Sequence, residues 1–282
     1  SDELVSNGNF SQIGTEEVSN GNFSQEGSEE ITNGDFATDS DWSKSGWSIQ
    51  NGQAINTASA AGNNLYQGSV TSVGGNFKVV ITTTITAGSV VVMLGGGSGG
   101  YNVIGEATTS GTFTYYGVSN GTDNRILLQT GNGTLVGSIS IDNVSVKEVG
   151  QDWSLGTGWS IGDDKAIADN APNGERLQQN NVLVPGKIYK ATYEITEISQ
   201  GGFRGYVGGT NLITRSTVGV YTETVLALSN DVFYIRAINT TSGSITNISV
   251  KEVGQDWTFG TGWSIDQANS KADATDAAFN SQ

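Results

Sequence analysis

The sequence predicts an all-β protein: tandem antiparallel β-sandwich domains of jelly-roll type behind a short N-terminal strand-and-turn repeat. Three observations predict it. Valine, isoleucine, leucine, phenylalanine and tryptophan come in short runs between Asn-Gly and Gly-Gly breaks. No stretch has the apolar spacing of a three-turn amphipathic helix. The chain also repeats itself, first at 13 residues and then at 104.

The short repeat is Asn7-Gly8-Asn9-Phe10, Asn20-Gly21-Asn22-Phe23 and Asn33-Gly34-Asp35-Phe36. Each copy follows an apolar/polar alternation: Leu4-Val5-Ser6, Glu17-Val18-Ser19 and Glu30-Ile31-Thr32. Each reads as one strand and one tight turn, because Asn-Gly tolerates the positive φ such turns need. A single unit cannot bury a core. The first two copies, Glu3 to Thr15 and Glu16 to Ser28, must pair with something else or act as a flexible tether.

The long repeat aligns Val144-Ser145-Val146-Lys147-Glu148-Val149-Gly150-Gln151-Asp152-Trp153 with Ile248-Ser249-Val250-Lys251-Glu252-Val253-Gly254-Gln255-Asp256-Trp257. Gly156-Thr157-Gly158-Trp159-Ser160-Ile161 then matches Gly260-Thr261-Gly262-Trp263-Ser264-Ile265, and the same opening occurs at Asp41-Trp42 and Gly46-Trp47-Ser48-Ile49. The organisation expected is a leader over 1–29, a first jelly roll over 30–149, a second over 150–253, and the start of a third over 254–282, ending in a short strand and Phe279. Such a domain needs roughly 100 residues. The expectation is that the chain continues past Gln282, and a start at Ser1 without Met points the same way.

Within the first domain, Phe77, Val79, Ile81 and Ile85 share one face of a strand, so one side is buried. Further strands are predicted over 89–94, 101–105, 112–117, 124–129 and 135–147. In the second domain Tyr189, Ala191, Tyr193 and Ile195 share a face, with later strands over 202–207, 218–227, 231–238 and 244–253. Many short strands with regular turns imply a sandwich.

Composition excludes several functions. The 282 residues contain no Cys and no His. Disulfides, thiolate metal sites, serine-protease-type triads and His-built zinc sites are therefore absent. Lys+Arg number 13 against 28 Asp+Glu, a formal charge of −15. That excess repels phosphate, so neither nucleic acid nor an anionic membrane surface is an expected partner. The longest apolar run, Val90 to Leu94, is far short of the ~20 residues a membrane span needs.

The Ile31-Thr32-Asn33-Gly34-Asp35-Phe36 strand, the Gly-Trp-Ser-Ile strand and the closing strand Ile139-Ser140-Ile141-Asp142-Asn143-Val144-Ser145-Val146 together resemble carbohydrate-binding-module-like jelly rolls. The resemblance covers 30–149 well, 150–253 with a changed first strand, and the remainder in part. The tandem array, its Val-Lys-Glu-Val-Gly-Gln-Asp-Trp linker and the 13-residue leader are similar to fibre or other virion structural proteins of tailed bacteriophages, aquatic ones in particular.

Candidate sites follow. Trp47 and Ile49, like Trp159 and Ile161, share a strand face and read as core. Trp42 and Trp153 lie beside Asp in linker-like stretches and read as inter-domain wedges. In the second domain Arg204 and Tyr206 share one strand face, as do Tyr234 and Arg236; such a face could stack on and hydrogen-bond a sugar. The plainer reading is a solvated face or a subunit contact.

The resemblance also implies a structural calcium tying first strand to last. The matching residues are Asp35 and Asp142 in the first domain. Ala37 stands where the family places a carboxylate, and Thr246 stands where the second domain would carry Asp142. Calcium needs six to eight oxygens, so the site is weakened. Asp163-Asp164 reads as a solvated turn, not a catalytic pair. Gly95-Gly96-Gly97-Ser98-Gly99-Gly100 lacks the Lys and helix of a phosphate loop. The Asn-x-Ser/Thr triplets at Asn9, Asn22, Asn120, Asn132, Asn143, Asn239 and Asn247 follow from composition.

The reading is a non-enzymatic, extracellular or virion-surface structural protein. It would be a fibre or appendage of a tailed phage, self-assembling as a homo-oligomer or with other virion proteins and contacting glycans. The alternatives are a carbohydrate-binding array of a secreted bacterial adhesin or glycosidase, or a self-assembling filament subunit. Phe10 and Phe23 are the expected assembly residues, because an unpaired strand edge readily accepts another chain.

Overall fold

The computed structural model describes residues 5–57, 61–131, 137–260, 262–266 and 271–274. Glu3, Leu4, Asn132 and Phe279 lie outside them. The chain divides into two compact units. One comprises residues 25–150 and 161–163; the other comprises 1–24, 151–160 and 164–282. Every named element among the described residues is a strand.

In the first module one sheet has the order Gly111–Val118, Asn76–Ile85, Ser138–Val149, Gln53–Thr57, Ser48–Gln50. The facing sheet has the order Ser43–Lys44, Asn64–Gln67, Arg125–Thr130, Val90–Gly95, Tyr101–Ala107. All these strand pairings are antiparallel. Alternation along these strands sends Val79, Ile81, Val92, Leu94, Ile126 and Leu128 into one core with Trp47.

The second module repeats this order with one change. The strands expected at 189–195 and 202–207 are one strand, Ile188–Val207. Those expected at 231–238 and 244–253 are likewise one, Phe233–Val253. Its N-terminal half takes the place of Arg125–Thr130 and its C-terminal half that of Ser138–Val149. The two long strands stay paired by shifting register four times between Thr192 and Gly202. Bulges bend a strand without ending it, so a separate connection is unnecessary.

The leader repeats do not stand apart. The third repeat, which opens the first module, lies on the module's closing strand. Its first strand, Glu26–Glu29, begins in the tail of the second copy and pairs with Val149 to Lys147. The Glu29 carboxylate then takes over from the backbone, accepting the Val146 amide at 2.7 Å and the Ser145 hydroxyl at 2.6 Å. This places the strand upstream of the predicted 30–32 alternation, because a side chain caps the ladder there. Val144 N donates to Gly34 O at 2.9 Å. Gln67 clamps the Thr32 peptide from both sides, at 3.0 and 2.8 Å. Phe36 packs on Trp42 with centroids 5.2 Å apart, and the Trp42 indole donates to Asn33 O at 3.0 Å.

The second repeat makes the same set of contacts with the second module. Its strand, Ile13–Glu16, begins in the tail of the first copy and pairs with Val253 and Lys251. Glu16 accepts the Val250 amide and the Ser249 hydroxyl, each at 2.6 Å. Ile248 N donates to Gly21 O at 2.9 Å, and Gln179 clamps Ser19 at 3.0 and 2.7 Å. Phe23 meets Trp153 at 5.4 Å, and the indole donates to Asn20 O at 3.0 Å. Phe23 is therefore a buried contact within the chain, where an assembly contact was expected. Trp42 and Trp153 are locks on the leader turns, not wedges between domains. Each fills the cavity behind a turn of its own module.

Two features of the turn were not predicted. The positive φ falls on Asn and Phe, at 53° for both Asn33 and Phe36, and not on the Gly between them. The Gly is needed for another reason. A Cβ on Gly34 would lie 2.2 Å from Val144 O, and one on Gly21 2.0 Å from Ile248 O. Only glycine allows the closing strand so near.

Candidate functional site

The second module carries the most distinctive surface among the described residues. Phe203, Val207, Phe233, Ile235, Ala237 and Leu177 point inward and are fully buried. The pleat therefore turns the intervening side chains to the other face. Register aligns them in two rows across the sheet. One row is Arg176, Arg236, Arg204; the other is Gln178, Tyr234, Tyr206, Asn211.

The rows hold each other in place. The Tyr206 and Tyr234 rings stack at 4.3 Å and 6°. The Arg176 guanidinium lies over the Tyr234 ring, 4.7 Å from its centroid. Asn230 Nδ2 donates to the Tyr206 hydroxyl at 2.8 Å. Arg236 Nη2 donates to Asn211 Oδ1 at 3.2 Å, and Arg204 Nε to Thr214 Oγ1 at 2.8 Å. Arg236 Nε is buried and has no protein partner among the described residues. Burial raises the Tyr234 hydroxyl above its ordinary value against the pull of Arg176 and Arg236, so it stays protonated at neutral pH.

The structure brings all four predicted residues, Arg204, Tyr206, Tyr234 and Arg236, onto one face. Their roles differ from a stacking platform. Tyr234 is only 6% exposed, and its ring faces are taken by Tyr206 and Arg176. What the face offers is guanidinium donors and tyrosine edges. Arg176 was missed by sequence reasoning. Its signal was the Arg-Leu-Gln-Gln alternation, with Leu177 buried between two outward residues.

Only five of the chain's 282 residues are arginine, and three form this row. Among the described residues, none of the three takes part in an ion pair. The first module serves as an internal comparison. By register, Asn64, Gln129 and Val91 replace the arginine row, and Tyr66, Leu127 and Met93 replace the row containing the tyrosines. Arg125 also stands on this face of the first module, over the Tyr66 ring at 4.7 Å and paired with Asp123 at 3.1 Å, so what belongs to the second module is the row of three arginines outside any ion pair.

The other candidate residues sit as follows. Asp35 lies on the exposed third turn, where its carboxylate accepts the Ala37 amide at 3.2 Å. Asp142 is exposed at the register shift between Ile141 and Asn143. Among the described residues no group of three or more acidic side chains is placed to hold a metal. A calcium there would have only two carboxylates to add to backbone carbonyls. Phe10 packs on Trp257 at 5.3 Å and on Phe259 at 6.4 Å.

No family model matches the chain, and no curated protein matches it. Solved structures do. The N-terminal tandem CBM22 domain of Xyn10C from Paenibacillus barcinonensis is similar over 81% of this chain and 99% of its own, at 8% identity and a TM-score of 0.37. The tandem CBM51 modules of a family 98 glycoside hydrolase from Streptococcus pneumoniae align over 71% and 83%, at 8% identity and a TM-score of 0.24. Allantoicase from Saccharomyces cerevisiae aligns over 69% and 78%, at 12% identity and a TM-score of 0.24. Among the described residues no helix is long and apolar enough to cross a membrane.

Proposed function

We propose that the chain is a non-catalytic carbohydrate-binding array working in an extracellular setting, and that its glycan site is the Arg176–Arg236–Arg204 face of the second module. The observation that carries this reading is the arginine row itself. In a chain of formal charge −15, three guanidiniums without carboxylate partners among the described residues share one sheet face, whereas the same face of the first module has only Arg125, which is paired with Asp123. Guanidinium presents a planar fork of donors that fits carboxylate and sulfate oxygens. The preferred ligand is therefore a glycan bearing uronate or sulfate groups, gripped from its edges. The chain's overall negative charge does not forbid this, because at physiological salt exposed charges are screened beyond about 8 Å.

Calorimetry with an oligogalacturonide and a neutral xylo-oligosaccharide tests the reading. The acidic ligand is expected to bind, with affinity that falls as salt rises and is lost in Arg204→Ala and Arg236→Ala. Equal binding of both ligands, or binding untouched by Arg236→Ala, overturns it. The virion-fibre setting has no observation of its own in the structure. The arginine row is what supports the binding array.

A further inference from the structure

We propose that the first leader turn, Asn7 to Phe10, together with Trp257 forms an open strand-accepting site, whose occupant is the closing strand of a further module of this repeat. That occupant is an extended segment reading Asn-(Val or Ile)-Ser-Val-Lys-Glu-Val. The inference is independent of the glycan reading.

Two complete copies of the site exist in the same chain, and both are filled. The first turn already has the part of the arrangement that does not depend on a closing strand. Trp257 Nε1 donates to Asn7 O at 3.1 Å, as Trp42 and Trp153 do to Asn33 and Asn20. The Phe10–Trp257 rings meet at 5.3 Å and 43°, against 5.4 Å and 43° for Phe23–Trp153. Asn7 Nδ2 also holds Gln255 O at 3.3 Å.

The strand-facing side is different. Val5 is 46% exposed, while its counterparts Val18 and Ile31 are 4% and 8% exposed. Phe23 and Phe36 are each 1% exposed, while Phe10 is only half-buried. Behind Phe10 an apolar cavity of about 240 Å³ is lined by Trp257, Phe259, Trp263 and Ala272. Among the described residues a Cβ on Gly8 would meet nothing nearer than the Val5 carbonyl at 3.9 Å, where Gly21 and Gly34 each face a strand carbonyl within 2.2 Å. The repeat has kept glycine at a position that needs it only when a strand is docked. Strand edges take up added strands, with main-chain hydrogen bonds supplying affinity and side-chain pockets supplying register.

The test is a synthetic peptide of residues 244–254, Ser-Ile-Thr-Asn-Ile-Ser-Val-Lys-Glu-Val-Gly, added to the full chain. Backbone amide exchange is followed across residues 5–10. Saturable slowing on the order of tenfold or more is expected, and none with a scrambled peptide. Gly8→Ala is the second variant. Its site is open in the free chain, so melting should be unchanged, while peptide affinity should fall at least about tenfold. No saturable protection, or equal protection in Gly8→Ala, overturns the proposal. Dimerisation of the peptide-free chain that protects the same residues also overturns it, by giving the site to a second copy.

Discussion

At the scale of the residue, three glycines in equivalent turns have different consequences. Gly34→Ala and Gly21→Ala push a methyl into a strand carbonyl, at 2.2 and 2.0 Å. Overpacking of this kind costs about 1–3 kcal/mol, so calorimetry should show each variant melting lower. Unchanged melting in both would mean the turns sit more loosely than the hydrogen bonds imply. The tight approach also explains why the Asn-Gly pair was only half legible. Its tendency to turn is local and was visible. The carbonyl that makes glycine necessary comes from a strand more than 100 residues away, with Val144 for Gly34 and Ile248 for Gly21.

Two glutamates of the leader should titrate in opposite directions. Lys78 at 2.5 Å and then Lys147 at 2.9 Å hold the Glu26 carboxyl below its ordinary 4.5. Its contribution is present above that ordinary value and is lost as pH falls through the lower folded value. Burial first, then Glu252 and Glu16, raises Glu17 above the same 4.5. Its ionised form is disfavoured in the fold, so that penalty is relieved as pH falls through the raised value. Carboxyl-carbon NMR titration should place the Glu26 midpoint below that of Glu17. The reverse order would mean that the Lys78 and Lys147 pairs do not persist in solution. The pairs are part-exposed, so the stability at stake is small, under about 1 kcal/mol.

At the scale of the element, the leader supplies one clasp per module. Glu16 and Glu29 each cap a short ladder with two hydrogen bonds, and Gln179 and Gln67 each clamp one peptide. Removing residues 1–24 should therefore uncover Trp153 and destabilise the second module, while residues 25–150 keep their clasp. Differential scanning calorimetry would show one transition shifting down and the other staying in place. Equal shifts, or none, would show that the second clasp adds nothing to stability. A milder probe is Phe23→Ala. Truncating a fully buried phenylalanine costs about 3–5 kcal/mol, and the loss should fall on the second module. The repeats of 13 and 104 residues announced equal units. Which unit closes which module was not readable, because period alone does not state partner.

At the scale of the whole molecule, the charge and the arginine row pull in opposite directions. The chain's formal charge of −15 opposes polyanions, and the arginine face is the one proposed to take them up. Binding of an acidic oligosaccharide should therefore weaken with salt but persist near physiological strength. Chromatography after prolonged incubation should return the oligosaccharide intact, as a binding module requires. Shortened products that disappear on substituting a single Asp or Glu would make the chain an enzyme.

The sequence by itself determined the all-β class, the jelly-roll repeat, most strand positions and the side of the sheet on which Arg204, Tyr206, Tyr234 and Arg236 stand. Those properties are periodic. Alternation of two sets the faces, and Asn and Gly set the turns, so short windows contain the information. Tertiary structure alone decided the rest. It joined four expected strands into two, brought Arg176 into line with Arg236 and Arg204, and closed the leader back on its modules in reverse order. The contact of Trp257 with Asn7 spans 250 residues. Contacts of that range depend on which complementary surfaces meet when the chain folds, and no local pattern records the meeting.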